Sequence, residues 1–401
     1  MDANATTPLF PEVFEAMRPL LLEHFGNASS IHQQGQHARA AVDHARDAMA
    51  RLLHARASEI VFTSGGTESD NLALFGILKP GDHLITSAIE HHAVLHAAEA
   101  LAQRGVELTF LPCDHDGVVS PATLTDALRP NTRLVSIMYA NNETGTLQPI
   151  AELSRIAKNH GAHFHTDAVQ AAGKLPLDLS TTGALRHVDL LSIAGHKMYA
   201  PQGIGVLFVR RNVRLTPLFH GGTHERQRRA GTENVASIVA LGKAAELAQA
   251  WLLGTNSGPI SGSELPSSPN ALAALRDHLE QTLLAEVPEC GVNGDGSERT
   301  VNTSNLYFDH VEAEALVIAL DLKGLSVSGG SACQSGATEP SHVLTAMGLS
   351  PARARASVRF SLSRMSTAQD VEDALAIIPA AVARLRSLSP TWKTALALTS
   401  A

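Results

Sequence analysis

The sequence predicts an α/β protein, with a mainly parallel β-sheet covered by helices on both faces and a smaller α+β domain after it. The first observation is a series of apolar runs with the composition of buried strands, at 59–65, 82–88, 107–112, 132–140, 163–169, 189–195 and 205–211. The second is that helical patterns separate several of these runs, such as "ESDNLALFGIL", "HAVLHAAEALAQRG" and "AELSRIAKNHG". This alternation is typical of parallel sheets, because parallel neighbours need a long crossover, usually a helix.

The pattern changes after a long helical stretch, "VASIVALGKAAELAQAWLL". The segment 254–270 consists mostly of Gly, Ser and Pro, which predicts a flexible loop. Beyond it the sequence predicts a helix at 271–286, a strand in 300–309, a helix near 312–322 and a strand in 356–364. We therefore expect a large domain at 13–253, and a small domain formed by 1–12 together with 271–401.

Composition narrows the function classes. The chain has 401 residues, enough for a sizeable core, and a formal net charge of −8 without any basic block. Nucleic acid and anionic membranes are therefore poor candidates as direct partners. No uninterrupted apolar run approaches the length of a membrane span, and no signal peptide is visible at the N-terminus. The three cysteines lack paired spacing, which favours a reduced, cytoplasmic setting over a disulfide framework.

The 20 histidines raise the question of a metal site. His92 and His96 have helical i, i+4 spacing, and His163 and His165 share one strand face. Neither pair has a second cluster at the spacing of a structural zinc site, so we expect surface or core histidines and no resident metal.

Two strand ends carry residues that suit an anionic cofactor. In "VFTSGGTESDN" a strand, a Gly-Gly turn and a helix start follow one another, which directs free backbone N–H groups at one point. An ordinary capped turn fits this pattern equally well. In "LLSIAGHKMYAPQGIG" an apolar strand ends in His196 and Lys197. Such a lysine is either a solvated strand end or an amine held in a pocket, where burial makes it a nucleophile.

Three further residues each have a chemical and a structural interpretation. Asp167 ends a buried strand, and a protonated pyridine nitrogen would satisfy it as well as a salt bridge would. Cys333 lies among Ser, Gly and Ala, which favours an exposed, reactive thiol over a buried one. Arg359 lies in an alternating strand, where an inward guanidinium would need an acidic partner or a substrate carboxylate, and an outward one neither.

Taken together, the motifs identify a family. The chain resembles the type I cysteine desulfurases, pyridoxal-phosphate enzymes with the aspartate aminotransferase fold, from about residue 1 to 394. The motifs that carry the resemblance, in the family's order, are "ANATTP", "FGNASSIH", "VFTSGGTESDN", "IEHHAVL", "NNETG", "HTDAVQAAGKLP", "GHKMYAPQGIG", "HGGTHERQRRAGTENV" and "SACQSGATEPSHVL".

The resemblance implies a role for each cofactor contact. Lys197 would form a Schiff base with pyridoxal phosphate and later remove the substrate α-proton. Asp167 would pair with the pyridine nitrogen, Gln170 would hydrogen-bond the ring oxygen, and His91 would stack on the ring.

The phosphate contacts come from two chains. Gly66, Thr67 and His196 would hold the phosphate, and Thr232 would reach it from the other subunit of a homodimer.

The resemblance also implies how L-cysteine is converted to L-alanine. Asn142 and Arg359 would orient the substrate carboxylate, with Asn142 also near the cofactor and Asn27 nearby. Cys333 would attack the substrate sulfur and carry it as a persulfide to an acceptor, such as an iron–sulfur scaffold or a tRNA-thiolation protein. A transient contact of Cys333 with an iron–sulfur cluster is the one metal contact implied.

Two departures concern the phosphate. Ala194 stands where the family usually has a serine, and Gln202 stands where it commonly has a lysine. Two other functions also fit the motifs: a selenocysteine lyase, and a non-catalytic paralogue that serves as an assembly scaffold.

Overall fold

Seven strands form the larger of two sheets in a computed structural model of the chain, which describes residues 1–255, 265–329 and 340–392. These strands are β1 (Ile60–Thr63), β2 (His83–Ser87), β3 (Glu107–Leu111), β4 (Thr132–Ser136), β5 (His163–Asp167), β6 (Leu190–Ala194) and β7 (Gly205–Val209). Each lies within one of the predicted apolar runs, so the predicted strands are confirmed. The run 132–140 is only half strand, because β4 ends at Ser136.

The spatial order of this sheet is β1-β7-β6-β5-β4-β2-β3. The pairs β2–β3, β2–β4, β4–β5 and β5–β6 are parallel. Strand β7 runs antiparallel to both of its neighbours. The sheet is therefore mixed but mainly parallel, as predicted, and the carboxyl ends of β2, β4, β5, β6 and β1 meet at one edge.

Helices cover both faces of the large sheet. Those of the first part of the chain are α1 (Pro11–Leu22), α2 (Gln33–Leu52), α3 (Gly66–Ile77), α4 (His92–Ala102), α5 (Pro121–Ala127), α6 (Ile150–His160), α7 (His224–Gln227) and α8 (Val235–Leu252). Strand β7 shows the two faces by alternation: Val206 and Phe208 pack in the core with α2, α6 and α8, whereas Leu207 and Val209 pack in the core with α3 and α4. Such two-sided burial explains why these strands are apolar throughout.

Helix α8 is long and apolar enough to cross a membrane by length and composition alone. In this fold more than half of it is buried, and its residues Leu241 and Ala245 pack in the large-sheet core. Its composition is therefore that of a core helix.

A second, antiparallel sheet follows in the chain, with the order β10-β11-β9-β8. Its elements are α9 (Pro269–Glu286), β8 (Cys290–Val292), β9 (Thr303–Phe308), α10 (Ala313–Asp321), β10 (Ser328–Gly329), α11 (His342–Ala346), α12 (Pro351–Arg355), β11 (Ser357–Ser361) and α13 (Ala368–Leu388). This sheet has its own core, which includes Phe308, Phe360 and Leu279. The proposed domain boundaries stay predictions, and residues 256–264 of the predicted loop lie outside the described residues.

The N-terminal segment joins the two sheets. The Ala3 N–H donates to the Ser361 carbonyl at the end of β11, and the Thr7 N–H donates to the His196 carbonyl just after β6. Between them lies Asn4, which is only 3% exposed. Backbone from three distant parts of the sequence therefore meets where the predicted site residues lie.

Candidate active site

A cavity of about 330 Å³ lies at the edge where the parallel strands end. This is the usual place for ligands in open α/β sheets, and the volume is within the range of small-molecule sites. Its lining residues are Asn4, Ala5, Gly66, Thr67, Asp70, His91, Met138, Ala140, Asn142, Asp167, Val169, Gln170, Ala194, His196, Lys197 and Arg359. Most of the predicted site residues are therefore brought together, from sequence positions up to about 290 residues apart.

Lys197 lies in a short 3₁₀ turn, Gly195–Lys197, that directly follows β6. Its side chain lines the cavity, and Nζ donates to the carbonyl oxygens of Asn4 at 2.5 Å and Ala5 at 2.6 Å. The amine is thus held inside the cavity by backbone carbonyls of the N-terminal segment. This geometry matches the pocket interpretation of the strand-end lysine and not that of a solvated end.

Asp167 lies at the end of β5, next to β6, with Asp167 in register with Ser192. It is 6% exposed and accepts the Val169 N–H at 2.8 Å. Burial raises the pKa of Asp167 to about 6, although the Val169 N–H and the charge of Lys197 oppose the rise. A cationic ligand nitrogen beside it would favour the carboxylate form, because a buried carboxylate needs a partner.

The turn between β1 and α3 forms one end of the cavity. Gly65 has a φ of +156°, which suits glycine, and α3 starts at Gly66 with free N–H groups beside Thr67. A Cβ on Gly66 would lie 2.9 Å from Val169 Cγ2 and 3.5 Å from Ala194 Cβ. The last residue of β6 therefore faces the helix N-terminus closely, and together they form a cradle suited to a phosphate.

His196 and His91 line the cavity as neutral rings. Burial, and then the charge of Lys197, lowers the pKa of His196 to about 4. His91 precedes α4, and its Nδ1 accepts the Ala93 N–H at 3.2 Å. Burial, followed by the charges of His92, Lys197, His342 and His96, lowers the pKa of His91 to about 4. The helix-capping bond leaves the His91 proton on Nε2, and an uncharged ring suits stacking on a cofactor.

Arg359 reaches the cavity from β11 of the small sheet. It is 2% exposed, and its Nη1 donates to the Asn142 carbonyl at 2.9 Å while Nη2 donates to Asp2 Oδ1 at 2.8 Å. The expectation of an acidic partner for an inward arginine is thus confirmed. Within the described part of the chain, the buried Nε has no hydrogen-bond partner. A buried donor without an acceptor is costly, so the cavity favours a ligand with an anionic oxygen here.

Two buried acids below the cavity were not predicted as site residues. Asp70 in α3 lines the cavity, and Glu90 accepts the Ser87 hydroxyl at 2.6 Å and the Met138 N–H at 2.9 Å. Burial, and then the charge of Asp167, raises the pKa of Asp70 well above its ordinary value. Burial raises the pKa of Glu90 to about 8. Glu90 therefore holds its proton near neutral pH, and both burial and the charge of Asp167 disfavour the carboxylate form of Asp70.

Asn4 is another lining residue that the sequence did not single out. Its carbonyl accepts from Lys197 and Gln170, and its side chain contacts Lys174, Asn302 and Thr303. The quoted motifs "ANATTP" and "VFTSGGTESDN" contained Asn4 and Asp70, but only the folded chain shows that they border the cavity.

Two predicted site residues do not line the cavity. Asn27 is exposed, with its Oδ1 accepting the Ser29 N–H, and it does not line this cavity. Thr232 is also exposed. Cys333 lies outside the described residues. The roles of all three stay predictions.

The other two thiols are free. Burial raises the pKa of Cys113 to about 11 and that of Cys290 to about 12. Both therefore stay protonated near neutral pH, which makes them weak nucleophiles.

Among the described residues no group of His, Cys, Asp and Glu side chains is arranged to hold a metal ion. The rings of His92 and His96 are neighbours on α4, as their spacing predicted, with centroids 5.0 Å apart and planes tilted by 40°. His165 is fully buried and bonds to Ser136 and Ser192 hydroxyls.

Comparisons with known proteins give one consistent result. The sequence model described as aminotransferase class-V matches residues 1–374. A protein of Methanosarcina thermophila named cysteine desulfurase IscS is 48% identical over 394 residues, which are 97% of this chain and 93% of that protein. A protein of Dictyoglomus turgidum with the same name is 44% identical over 400 residues, 98% of this chain and 97% of that protein.

Solved structures are similar over most of the chain. A NifS-like protein superposes with a TM-score of 0.85 at 32% identity, covering 95% of this chain and 98% of that one. The structure titled SspA in complex with cysteine superposes with a TM-score of 0.76 at 36% identity, covering 90% of this chain and 97% of that one.

Proposed function

The chain belongs to the aminotransferase class-V family, and from this membership we propose that it is a pyridoxal-phosphate-dependent cysteine desulfurase. It converts L-cysteine to L-alanine and transfers the sulfur to a cysteine of the enzyme. The observation that carries the proposal is that Lys197, Asp167 and Arg359, from three different elements, line one cavity. They supply an amine, a carboxylate and a guanidinium in the places that a dipolar cofactor and an amino-acid substrate need.

The residues fit pyridoxal phosphate. When bound, this cofactor supplies an aldehyde for an amine and a protonated ring that accepts electron density from the substrate. The α3 N-terminus at Gly66 and Thr67, with His196, suits the phosphate, and the neutral His91 ring suits the ring face. Asp167 suits the ring nitrogen, because it lines the cavity and its pKa of about 6 favours the carboxylate near neutral pH.

The substrate carboxylate is assigned to Arg359 and Asn142. The Arg359 guanidinium is already oriented by Asp2 and by the Asn142 carbonyl, so little side-chain freedom is lost when a carboxylate binds. Lys197 Nζ, held in the same cavity, is the group that removes the proton from the substrate α-carbon.

The sulfur step is assigned to Cys333. Its thiolate attacks the substrate sulfur, and the carbon–sulfur bond of the substrate breaks with its electron pair left on the carbon side. That carbon takes up a proton, and the products are alanine and an enzyme persulfide. The raised thiol pKa values of Cys113 and Cys290 argue against either of them in this role.

The test is an assay of alanine and sulfide from L-cysteine, with and without a thiol reductant. With reductant we expect alanine and sulfide in equal amounts. Without it we expect one extra sulfur atom on the Cys333 peptide by mass spectrometry, and Cys333→Ser should bind cofactor but release neither product. Sulfur on the Cys113 or Cys290 peptide instead would contradict the assignment.

The same assay, run with L-selenocysteine as well as L-cysteine, separates the two other functions. A selenocysteine lyase would turn over selenocysteine and leave cysteine almost unchanged, and a non-catalytic scaffold would turn over neither. Two of the most similar relatives are named cysteine desulfurases, which favours cysteine.

We further propose that the enzyme is a cytoplasmic homodimer that passes sulfur to an iron–sulfur scaffold or a tRNA-thiolation protein. Large apolar side chains are exposed at the end of α1 and just after it: Leu21, Leu22, Phe25 and Ile31, the last 91% exposed. Exposed apolar groups of this size favour burial against another chain. Light scattering should give twice the mass of the 42.3 kDa chain, and Phe25→Glu should lower it.

A further inference from the structure

Lys174 is a buried lysine that the chemistry above does not use. It is 6% exposed, and its Nζ donates to Gln170 Oε1 at 2.8 Å and to Asn4 Oδ1 at 3.4 Å. Both partners are neutral amide oxygens. Burial, followed by the charges of Lys197 and Arg359, lowers the pKa of Lys174 to about 7. A lysine that is buried among neutral partners, where its charged form is disfavoured, points to a function.

The contact with Lys174 fixes which way the Gln170 amide faces. An amide can present either its oxygen or its nitrogen to a site, and the hydrogen bond that the Lys174 amine donates goes to the oxygen of Gln170. The Gln170 atom nearest Lys174 is therefore the oxygen, and Nε2 lies on the other side. One Nε2 hydrogen goes to the Asn4 carbonyl at 3.1 Å, which leaves a second donor on a side chain that lines the cavity.

The same amine fixes a second amide. Asn4 Oδ1 accepts from Lys174 and from Asn302 Nδ2 at 3.0 Å, so Asn4 Nδ2 is the donor to Thr303 Oγ1 at 2.9 Å. The Asn4 carbonyl, which accepts the Gln170 N–H, is thereby held in place by the hydrogen bonds of the Asn4 side chain. Lys174 and the Asn4 carbonyl thus set the direction of the Gln170 amide together, and Lys174 also helps to hold that carbonyl in position.

We propose that Lys174 is a positioning residue that keeps the N–H of Gln170 directed at the ring oxygen of bound pyridoxal phosphate. The inference rests on the proposed function and adds to it a residue that touches neither cofactor nor substrate. If the amide reversed, its oxygen would face an anionic ring oxygen and repel it. With the N–H in place, the anionic form of the ring oxygen is favoured over its protonated form, because a hydrogen-bond donor stabilises a neighbouring negative charge.

The test compares Lys174→Met with Lys174→Arg in the cofactor-loaded enzyme. Methionine matches the length of lysine but donates nothing, whereas arginine is again a donor without an acceptor. We expect Lys174→Met to raise, by about one to two units, the pKa read from the visible absorption band of the bound cofactor, and to weaken cofactor binding about tenfold. Lys174→Arg should keep the wild-type pKa. Lys79→Met, at an exposed lysine, is the matched control.

A double-mutant cycle separates positioning from a through-space charge effect. If Lys174 acts through the amide, Lys174→Met has no further effect on the absorption pKa in a Gln170→Leu background. Gln170→Glu, which presents only acceptors when ionised, should reproduce the shift of Lys174→Met or exceed it.

Two results would overturn the inference: an unchanged absorption pKa in folded Lys174→Met, or the same shift with and without Gln170. If Lys174→Met fails to fold, a wild-type pKa in Gln170→Glu is the overturning result. A wild-type protein without any visible cofactor band would instead contradict the proposed function, so the two failures are distinguishable.

Discussion

Two groups of buried ionisable side chains lie in or next to the cavity, an acid side and a cation side. They differ in how their surroundings stabilise or oppose the charged form. The acid side, defined as Asp70, Glu90 and Asp167, has all three pKa values raised by burial. The cation side, defined as Lys174, Lys197 and Arg359, is held by carbonyl and amide oxygens and by Asp2. The acid side gives up protons with difficulty, whereas the cation side has positive groups whose oxygen partners are already in place.

This difference favours one orientation of a ligand bound in the cavity. Burial, and then the charge of Asp167, disfavours ionisation of Asp70, and the pKa of Glu90 is about 8, so Asp167 is the acid that we assign to a ring nitrogen. The cation side offers an amine and a guanidinium to anionic oxygens. A dipolar ligand can therefore bind in one orientation, with its cationic nitrogen near Asp167, its phosphate at the α3 N-terminus and the substrate carboxylate near Arg359.

The largest effect is expected from the cation side, with Lys197→Ala. We expect alanine formation to fall by more than about a thousandfold, because one amine serves as both covalent anchor and base. Single-turnover assays with saturating cofactor measure this, and Lys79→Ala is the control. A near-normal rate in Lys197→Ala would show that the amine is not the reacting group.

Arg359→Gln should act on substrate binding more than on the chemical step. We expect KM for cysteine to rise about tenfold to a hundredfold, the value of a charge-assisted hydrogen bond. Cysteamine, which lacks the carboxylate, is the control ligand and should inhibit wild type and variant equally. Equal loss of affinity for both compounds would place the carboxylate elsewhere.

Ala194→Ser tests the phosphate cradle, which Ala194 forms together with the α3 N-terminus. The Ala194 side chain lies against Gly66 at the α3 N-terminus, so a hydroxyl here can donate to the phosphate. We expect cofactor affinity to rise about tenfold and turnover at saturating cofactor to stay the same. The readout is the rate of cofactor loss on dilution, and equal rates in both proteins would mean that the existing donors, or a water, already supply this bond.

The remaining prediction concerns stability instead of activity, and it tests the acid side through the pH dependence of unfolding. The pKa of Glu90 is about 8 in the folded protein against an ordinary value of 4.5, so its proton stabilises the fold fully below about pH 4.5. That stabilisation is lost as pH rises towards 8, by at most about 1.4 kcal/mol per pH unit. Glu90→Gln should flatten the decline in the unfolding free energy of the cofactor-free protein between pH 5 and 8, as measured by denaturant titration. The same slope in both proteins would show that Glu90 is ionised in the fold.

The sequence predicted a feature correctly where the residues of a single strand or helix formed the pattern. The strands of the large sheet follow from their apolar runs, and α8 from its long helical pattern. Asp167 and Lys197 were recognisable because each ends such a run, and neighbouring strands β5 and β6 bring them together. Asn4, Asp70 and Lys174 were not singled out, because their local sequence resembles that of an ordinary loop, helix or turn.

The sequence by itself determined the fold class and the family and predicted most of the residues that line the cavity, because hydrophobic periodicity and short motifs are local properties of the chain. Only the tertiary structure decided that Asp2 orients Arg359, that the carbonyls of Asn4 and Ala5 hold Lys197, and that Lys174 faces Gln170. The physical reason is that burial and hydrogen bonding set the charge and direction of these groups. Both depend on segments that are far apart in the sequence and meet only when the two sheets close over the N-terminal segment.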